Sequence, residues 1–478
     1  MKSTPTNNDP ENAEISASKP EDSLEWDLAP ENPLNWASWK KIVLMAAMSA
    51  SAISVSISTS IITPARDEIM EEFGVSSTVA ILSVSLYVLA LGFGPVVGGP
   101  LSETIGRYPV YLGSIIVGAA FTIGAGFTHN FGALLFCRFM AGFVWAPVLA
   151  VAPGSLSETF LPKARGPASA IFILMPFLGP GLGPVIGSFV VTRKDWRWTQ
   201  WTVLFFAAFS LLLTLAASET FHPILKRRLA RKRGQEFTQQ PPLATRLRHF
   251  AVVALVRPIQ MLLLEPIVSL LCLYVACEFG TLFSFFAAVP YTFGVVYGFS
   301  LDDSGLIFLS IIIGCVLGFL TVVLCDIFFY RKQIPRYPPH RVPPEYRLFP
   351  AMIGSIGLPI GLFWFGWSAR EGISWVAPAA AIIPFAWGNL CVFVSSMQYI
   401  TDTYHGSVVA SAASANSLAR YGFAGIFPLF TIQMYEKLGI GWASSLLGFI
   451  ALALLPIPWV FFKYGPDIRA RSRFEMTL

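Results

Sequence analysis

The chain is expected to be an all-α integral membrane protein of twelve transmembrane helices in two six-helix bundles. Three features predict it. The 478 residues are 54% hydrophobic and only 13% charged, against roughly 25% charged in a typical soluble domain. The apolar residues gather in runs near the length of about 20 residues that a bilayer core requires. A long basic stretch follows the sixth run and divides the series six plus six. Such a division is expected of two fused, related bundles.

Taken in order, the runs fall at about 42–64, 79–101, 109–128, 132–153, 167–191 and 200–218 in the first half. The second half carries them at about 259–293, 304–328, 348–368, 373–397, 407–434 and 441–463. Lipid offers no partner for open backbone groups, so solid apolar runs read as helices. A barrel would alternate apolar and polar residues instead. The seventh run is long for one perpendicular span and is expected to tilt, or to end in a short non-helical stretch near Pro290.

Around the spans, residues 1–39 hold eight acids and two lysines, and residues 1–40 are expected to form a disordered acidic cytoplasmic tail. No cleavable leader is legible, and the first span is expected to serve as the insertion signal. Residues 41–220 form the first bundle, 221–258 a basic cytoplasmic link, 259–465 the second bundle and 466–478 a short basic tail. Lysine and arginine stay on the cytoplasmic side. The link (Lys226, Arg227, Arg228, Arg231, Lys232, Arg233, Arg246, Arg248, Arg257), the stretch after span eight (Arg331, Lys332, Arg336, Arg341, Arg347) and the tail (Arg469, Arg471, Arg473) therefore place both termini in the cytoplasm. Asp67, Glu68, Glu71, Glu72, Asp302 and Asp303 mark the outer loops, with Arg193 and Lys194 as the exception.

Three motifs narrow the class. Between spans two and three the chain reads Gly98-Gly99-Pro100-Leu101-Ser102-Glu103-Thr104-Ile105-Gly106-Arg107-Tyr108. An acid and an arginine four apart beside glycines suit a tight inner turn, where a carboxylate takes hydrogen bonds from arginine or a helix N-terminus. Span four carries Arg138 and Gly142 ahead of Ala146-Pro147. Span five carries Gly179-Pro180-Gly181-Leu182-Gly183-Pro184-Val185-Ile186-Gly187. Its glycines permit close helix approach and its prolines bend a gate, with small residues facing it expected from Gly314 and Gly318 of span eight. Asp195-Trp196-Arg197-Trp198, Glu219-Thr220-Phe221, Glu265-Pro266-Ile267-Val268, Phe427-Pro428-Leu429-Phe430 and Lys463-Tyr464-Gly465 add to the pattern.

Together these stretches resemble the major facilitator superfamily, in particular the fungal twelve-span drug:proton antiporters that export drugs and polyamines. The resemblance runs from about Asn32 to Arg473. It implies the major facilitator fold and alternating access, with inward proton flow driving export of small amphipathic organic molecules. It also implies a cytoplasmic latch at Glu103, Gly106 and Arg107, echoed in the second half by Asp326 and Arg331, and a role for Arg138 in proton coupling or in organising the cavity. Gly179, Pro180, Gly183, Pro184 and Gly187 would be the antiporter gate motif. By the same resemblance the membrane is the plasma membrane, with the vacuolar membrane as the alternative.

Ionisable groups at membrane depth are costly and face a protein or water-filled interior. Within the spans they are Arg138, Glu265, Glu278, Asp326 and Arg420. Glu278, one turn after Tyr274, is the first candidate for a protonation site or a cationic contact; the alternative is a permanent pair with Arg420. Glu265, two turns into span seven, either serves the cavity or satisfies backbone donors. Arg138 otherwise donates to backbone carbonyls. Asn416 shares a face with Arg420, and with Asn389 and Gln398 it would line the second bundle's wall of a cavity. Trp145, Phe279, Phe283, Tyr291 and Trp387 supply aromatic surface for an amphipathic substrate. Ser49, Ser56, Ser60 and Thr63 form a stripe on span one that either packs or lines the path.

Other classes are disfavoured. No Gly-Lys dipeptide offers a phosphate loop. The histidines (His129, His222, His249, His340, His405) lie scattered, and the six cysteines sit inside apolar runs without ligand spacing. No enzymatic activity, metal or cofactor is therefore expected. The expected partners are a small organic substrate, protons and membrane lipid, with no nucleic acid. The chain is expected to act as a monomer, either as a broad exporter or as a dedicated carrier for a polyamine, an organic acid or one secondary metabolite.

Overall fold

The structure is a computed structural model that describes residues 26–232, 256–337, 342–404 and 407–472. The first 25 residues of the acidic tail, residues 233–255 of the basic link (with Arg233, Arg246, Arg248 and His249), His340, Arg341, His405 and residues 473–478 lie outside them.

Helices account for all the regular structure among the described residues. In the first half they are α1 (Ser38–Ser60), α2 (Arg66–Phe73), α3 (Ser77–Leu91), α4 (Gly94–Ile105), α5 (Arg107–Phe127), α6 (Phe131–Thr159), α7 (Pro162–Arg193), α8 (Arg197–Leu215) and α9 (His222–Lys232). The second half holds α10 (Arg257–Leu264), α11 (Pro266–Tyr297), α12 (Leu301–Leu306), α13 (Leu309–Cys325), α14 (Phe349–Gly354), α15 (Gly357–Ser368), α16 (Val376–Thr403), α17 (Ser407–Leu454) and α18 (Pro456–Arg469).

Ten stretches are long and apolar enough to cross a membrane, or eleven when α3 and α4, bent by 45°, count as one span. The bend falls where Gly92 and Gly94 flank Phe93, ahead of a proline that lacks the N–H for a regular helix. The last stretch, Val408–Arg469, is 62 residues long, or about 93 Å at 1.5 Å per residue. Gly439 interrupts it with φ 74°, outside helical geometry. Counting the segments on either side of Gly439 separately gives twelve.

Local chemistry fixes the ends. Asn130 Oδ1 accepts the Ala133 N–H at 3.1 Å and opens α6. Ser300 Oγ does the same for Asp303 at 3.2 Å and opens α12. Gly298 ends α11 with φ 64°, a conformation that glycine adopts without steric cost.

One expectation is corrected here. Span seven does not end near Pro290: α11 runs through it to Tyr297, and the break lies at Glu265. Pro266 occupies the first helical position, and a residue before proline is driven to extended backbone, as Glu265 shows with φ −103° and ψ 106°. Glu265 thus stands at the entrance of span seven and not two turns inside it. Of residues 1–40, the described part begins at Trp26. Asn32 Nδ2 donates to Trp26 O at 3.2 Å, and the Trp26 ring meets His222 edge-on at 5.5 Å.

The spans of each half pack mainly on one another: α1 on α7 and α8, α5 on α6 and α8, α13 on α16, and α15 on α16 and α17. Pairings also cross between the halves, α3 and α4 with α17, and α7 with α12 and α13. The crossing helices enclose the candidate site.

Candidate functional site

Arg138 is the best-satisfied charge at membrane depth. Its Nε donates to Ser83 O at 3.0 Å, Nη1 to Ser58 Oγ at 3.1 Å and Nη2 to Ser58 O at 2.7 Å. The guanidinium carbon lies 4.4 Å from the Tyr87 ring centroid, and the Tyr87 hydroxyl donates to Val55 O at 3.0 Å. One buried side chain therefore ties α6 to α1 and α3. A cation at this depth is costly unless its donors are met, and two serine carbonyls and a serine hydroxyl meet them.

The span-five motif packs against span one. A side chain at Gly179, Gly183 or Gly187 would run into Ser56, Ser60 or the Ile61 carbonyl respectively. Ser60 Oγ donates to Gly179 O at 3.2 Å, and Ser56 Oγ donates to Pro176 O. Ser56 and Ser60 of the span-one stripe thus serve this contact, and Ser56 also borders the central pocket. Gly181 turns the other way, toward Ile312 of α13. The expected partners Gly314 and Gly318 do not face the motif. They approach Ile383, Ala386, Trp387 and Leu390 of α16 instead, because their own helix presents that face to span ten.

At the end carrying both termini, Arg107 is held within its own half. Its Nη2 reaches Glu158 Oε1 at 2.9 Å, Nη1 donates to Ser102 Oγ, and the guanidinium covers the Phe221 ring at 5.0 Å. The Arg107 and Tyr108 N–H groups, which open α5, donate to Glu219 at 2.9 and 3.2 Å. Gly106 has φ 107°, and any side chain there would strike the Glu219 carboxylate. Of the expected latch residues, Glu103 lies on the exposed side of α4, and Arg107 grips Glu158. The second half repeats the plan. Asp326 pairs with Arg331 at 2.8 Å and with Arg347 at 3.1 Å, and Arg347 reaches Asp402 at 2.9 Å. Glu158, Glu219, Arg347 and Asp402 were missed as site residues. Glu158 and Asp402 both close an apolar span, the fourth and the tenth, so aligning the halves would have found them.

Glu278 is 3% exposed, and neither carboxylate oxygen has a hydrogen-bond partner among the described residues. Tyr274 and Cys391 are its polar surroundings, which turns it into the second half's interior. No ion pair joins it to Arg420. Asn389 is 1% exposed with both amide atoms unpartnered. Asn416 donates to Cys272 Sγ at 3.7 Å. Trp145 is turned away from the cavity: its indole fills the space over Gly118 of α5, inside the first half. Trp387 donates to Thr321 Oγ1 at 2.9 Å, and Tyr291 packs edge-on to Tyr435. Glu265 is buried near Tyr404 at the entrance of α11.

Two cavities lie between the halves. The central one, about 370 Å3, is bordered by Ser56, Thr59, Phe177 and Pro180 on one side and by Phe279, Phe283, Arg420 and Tyr421 on the other. The second, about 620 Å3, opens beyond it toward the acidic outer loop and is lined by Thr63, Asp67, Ser83, Phe286 and Pro290 among others. At that end polar contacts cross the halves: Asp302 accepts from Thr192 and from Arg193, the latter at 3.4 Å, and Gln433 Nε2 donates to Thr78 Oγ1 at 2.6 Å.

A pocket walled by spans of both halves is the arrangement that an alternating-access transporter uses. The profile of the major facilitator superfamily matches residues 48–428, and the chain belongs to that superfamily. It is 38% identical to an ascochitine biosynthesis cluster MFS transporter of Didymella fabae, covering 97% of this chain and 90% of that one. It is 36% identical to an efflux pump of Gibberella moniliformis (95% and 76%) and 35% identical to polyamine transporter 4 of Saccharomyces cerevisiae (94% and 73%). The fold is that of a D-xylose–proton symporter crystal structure, with TM-score 0.61 at 16% identity over 88% of this chain and 97% of that one.

Proposed function

We propose that the protein exports small amphipathic organic molecules in exchange for protons, by alternating access. The observation that carries this reading is the central pocket: α1, α3, α6 and α7 wall one side of it, and α11 and α17 the other. Residues 41–220 and 259–465 would then move as two bundles about that pocket, with 221–258 as the link between them. Residues 1–40 and 466–478 would lie outside the moving units. The aromatic rings bordering the pocket suit an amphipathic body. Direction rests on the similarity to an efflux pump and on the glycine–proline pattern of span five.

Glu278 is our candidate for the proton carrier, because a buried acid whose oxygens take nothing from protein donors is free to change its proton occupancy. Arg138, Arg420, Glu265, Asn416, Asn389 and Tyr274 are proposed to support or line the route. We place the protein in the plasma membrane as a monomer.

The test is transport by the purified full chain in vesicles with an imposed pH gradient. Accumulation of a fluorescent amphipathic probe that collapses with an uncoupler is expected; accumulation indifferent to the uncoupler would remove proton coupling. A dedicated carrier for one secondary metabolite is the second reading, and the similarity to a biosynthesis-cluster transporter favours it. A panel of drugs, polyamines and organic acids separates the two: one substrate moved at least tenfold faster than all others would decide for the dedicated carrier.

A further inference from the structure

The protein holds two arginines deep in its spans, and their surroundings differ in kind. Arg138 spends three donors on protein acceptors. Arg420 makes no hydrogen bond or ion pair among the described residues, and its Nε is buried without a partner. Rings surround it instead. Its guanidinium carbon lies 4.7 Å from the Phe279 centroid, 4.6 Å from Phe393 and 4.3 Å from Tyr421. Phe177, from the other half, closes on Phe279 at 5.4 Å and on Phe393 at 5.1 Å.

Aromatic faces steady a desolvated cation, but they take none of its directed N–H bonds in the manner of an oxygen. A carboxylate does, in paired form, which is the geometry a guanidinium is built for. The pocket supplies no such group, since Arg420 is the only charged residue among the twelve that line it. Glu278 is turned into the second half, and Glu265 stands at the entrance of α11. A polyammonium substrate would bring like charge against Arg420.

We propose that Arg420 is the head-group site for an organic anion, a carboxylate or an acidic enol or phenol. Its ring-bearing body would lie against Phe177, Phe279 and Phe283. The assignment deepens the exporter reading and takes its location from it.

The experiment uses three probes of one shape, 1-naphthoate, 1-naphthamide and 1-naphthylmethylammonium, on the full chain in proteoliposomes. Competition against tritiated 1-naphthoate is expected to rank the anion at least tenfold ahead of the other two. Arg420→Gln is expected to lose naphthoate at least tenfold, and Arg420→Lys to lose less, with thermal unfolding of both near that of the parent. Equal competition by the amide or ammonium, absence of naphthoate binding, or full affinity in a folded Arg420→Gln protein would overturn the proposal. If Arg420→Gln does not fold, the ranking of probes on the parent protein decides alone. Naphthoate binding without pH-driven movement of any probe would sink the exporter reading and keep the anion site. Movement of the ammonium probe alone would do the reverse.

Discussion

Arg107 grips Glu158 at 2.9 Å, joining the start of span three to the end of span four, and the relationship recurs where Arg347 reaches Asp402 at the end of span ten, also at 2.9 Å. Both pairs are partly shielded: Arg107 and Glu158 side chains are 11% and 14% exposed, Arg347 and Asp402 20% and 29%. Each arginine is also capped by a ring, Phe221 at 5.0 Å and Tyr330 at 3.4 Å.

From this pairing, Glu158→Gln is expected to cost roughly 1–3 kcal/mol, the range for leaving a charged donor short of its acceptor. Glu371→Gln, at an exposed position between spans nine and ten, is expected to change stability by less than about 0.5 kcal/mol. Thermal unfolding in detergent compares the two. An equal loss in both would mean that the Arg107–Glu158 pair adds nothing to stability.

Arg138→Lys is expected to fail almost as fully as Arg138→Ala. A lysine ammonium lacks the planar fork that reaches Ser58 on α1 and Ser83 on α3 together. Transport rate and unfolding midpoint should fall together in both variants. Wild-type behaviour of the lysine variant would show that charge alone matters there.

Among the span-five glycines, Gly187→Ala is expected to be severe, because the added carbon meets the Ile61 carbonyl of α1, which is backbone. As a control in span three, Gly113→Ala adds a carbon with nothing within 4 Å. Yield of folded protein on size-exclusion chromatography should drop for the first and hold for the second.

Asp302→Asn is expected to loosen the outer closure, since the Arg193 charge then loses its carboxylate across the halves. The readout is a cysteine placed at Ala287, which lines the outer cavity, and its labelling by a membrane-impermeant maleimide. Labelling several-fold faster in the Asp302→Asn background is expected. An unchanged rate would mean that the contact does not hold the outer end shut.

Much of the architecture was legible because membrane helices are written in composition. Charge scarcity and apolar runs marked the spans, and the short motifs marked the family. The seventh span shows the limit. Its apolar run is continuous across Glu265 and Pro266, so hydropathy reads one element, whereas the missing proline N–H and the extended residue before it break the helix there. The acids of the inner networks were hidden for a different reason. Glu158 and Glu219 lie 51 and 112 residues from Arg107, and no local pattern connects residues so far apart.

By itself the sequence determined that this chain crosses a membrane many times, where its charges are few, and to which superfamily it belongs, because those properties are sums over local residues. Only the tertiary structure decided which charges are spent and which remain available. Arg138 and Arg420 look alike in the sequence, each a lone cation in an apolar span. Folding brings carbonyl and hydroxyl oxygens to one and aromatic faces to the other, and that difference in neighbours across helices is what separates a tie from a binding group.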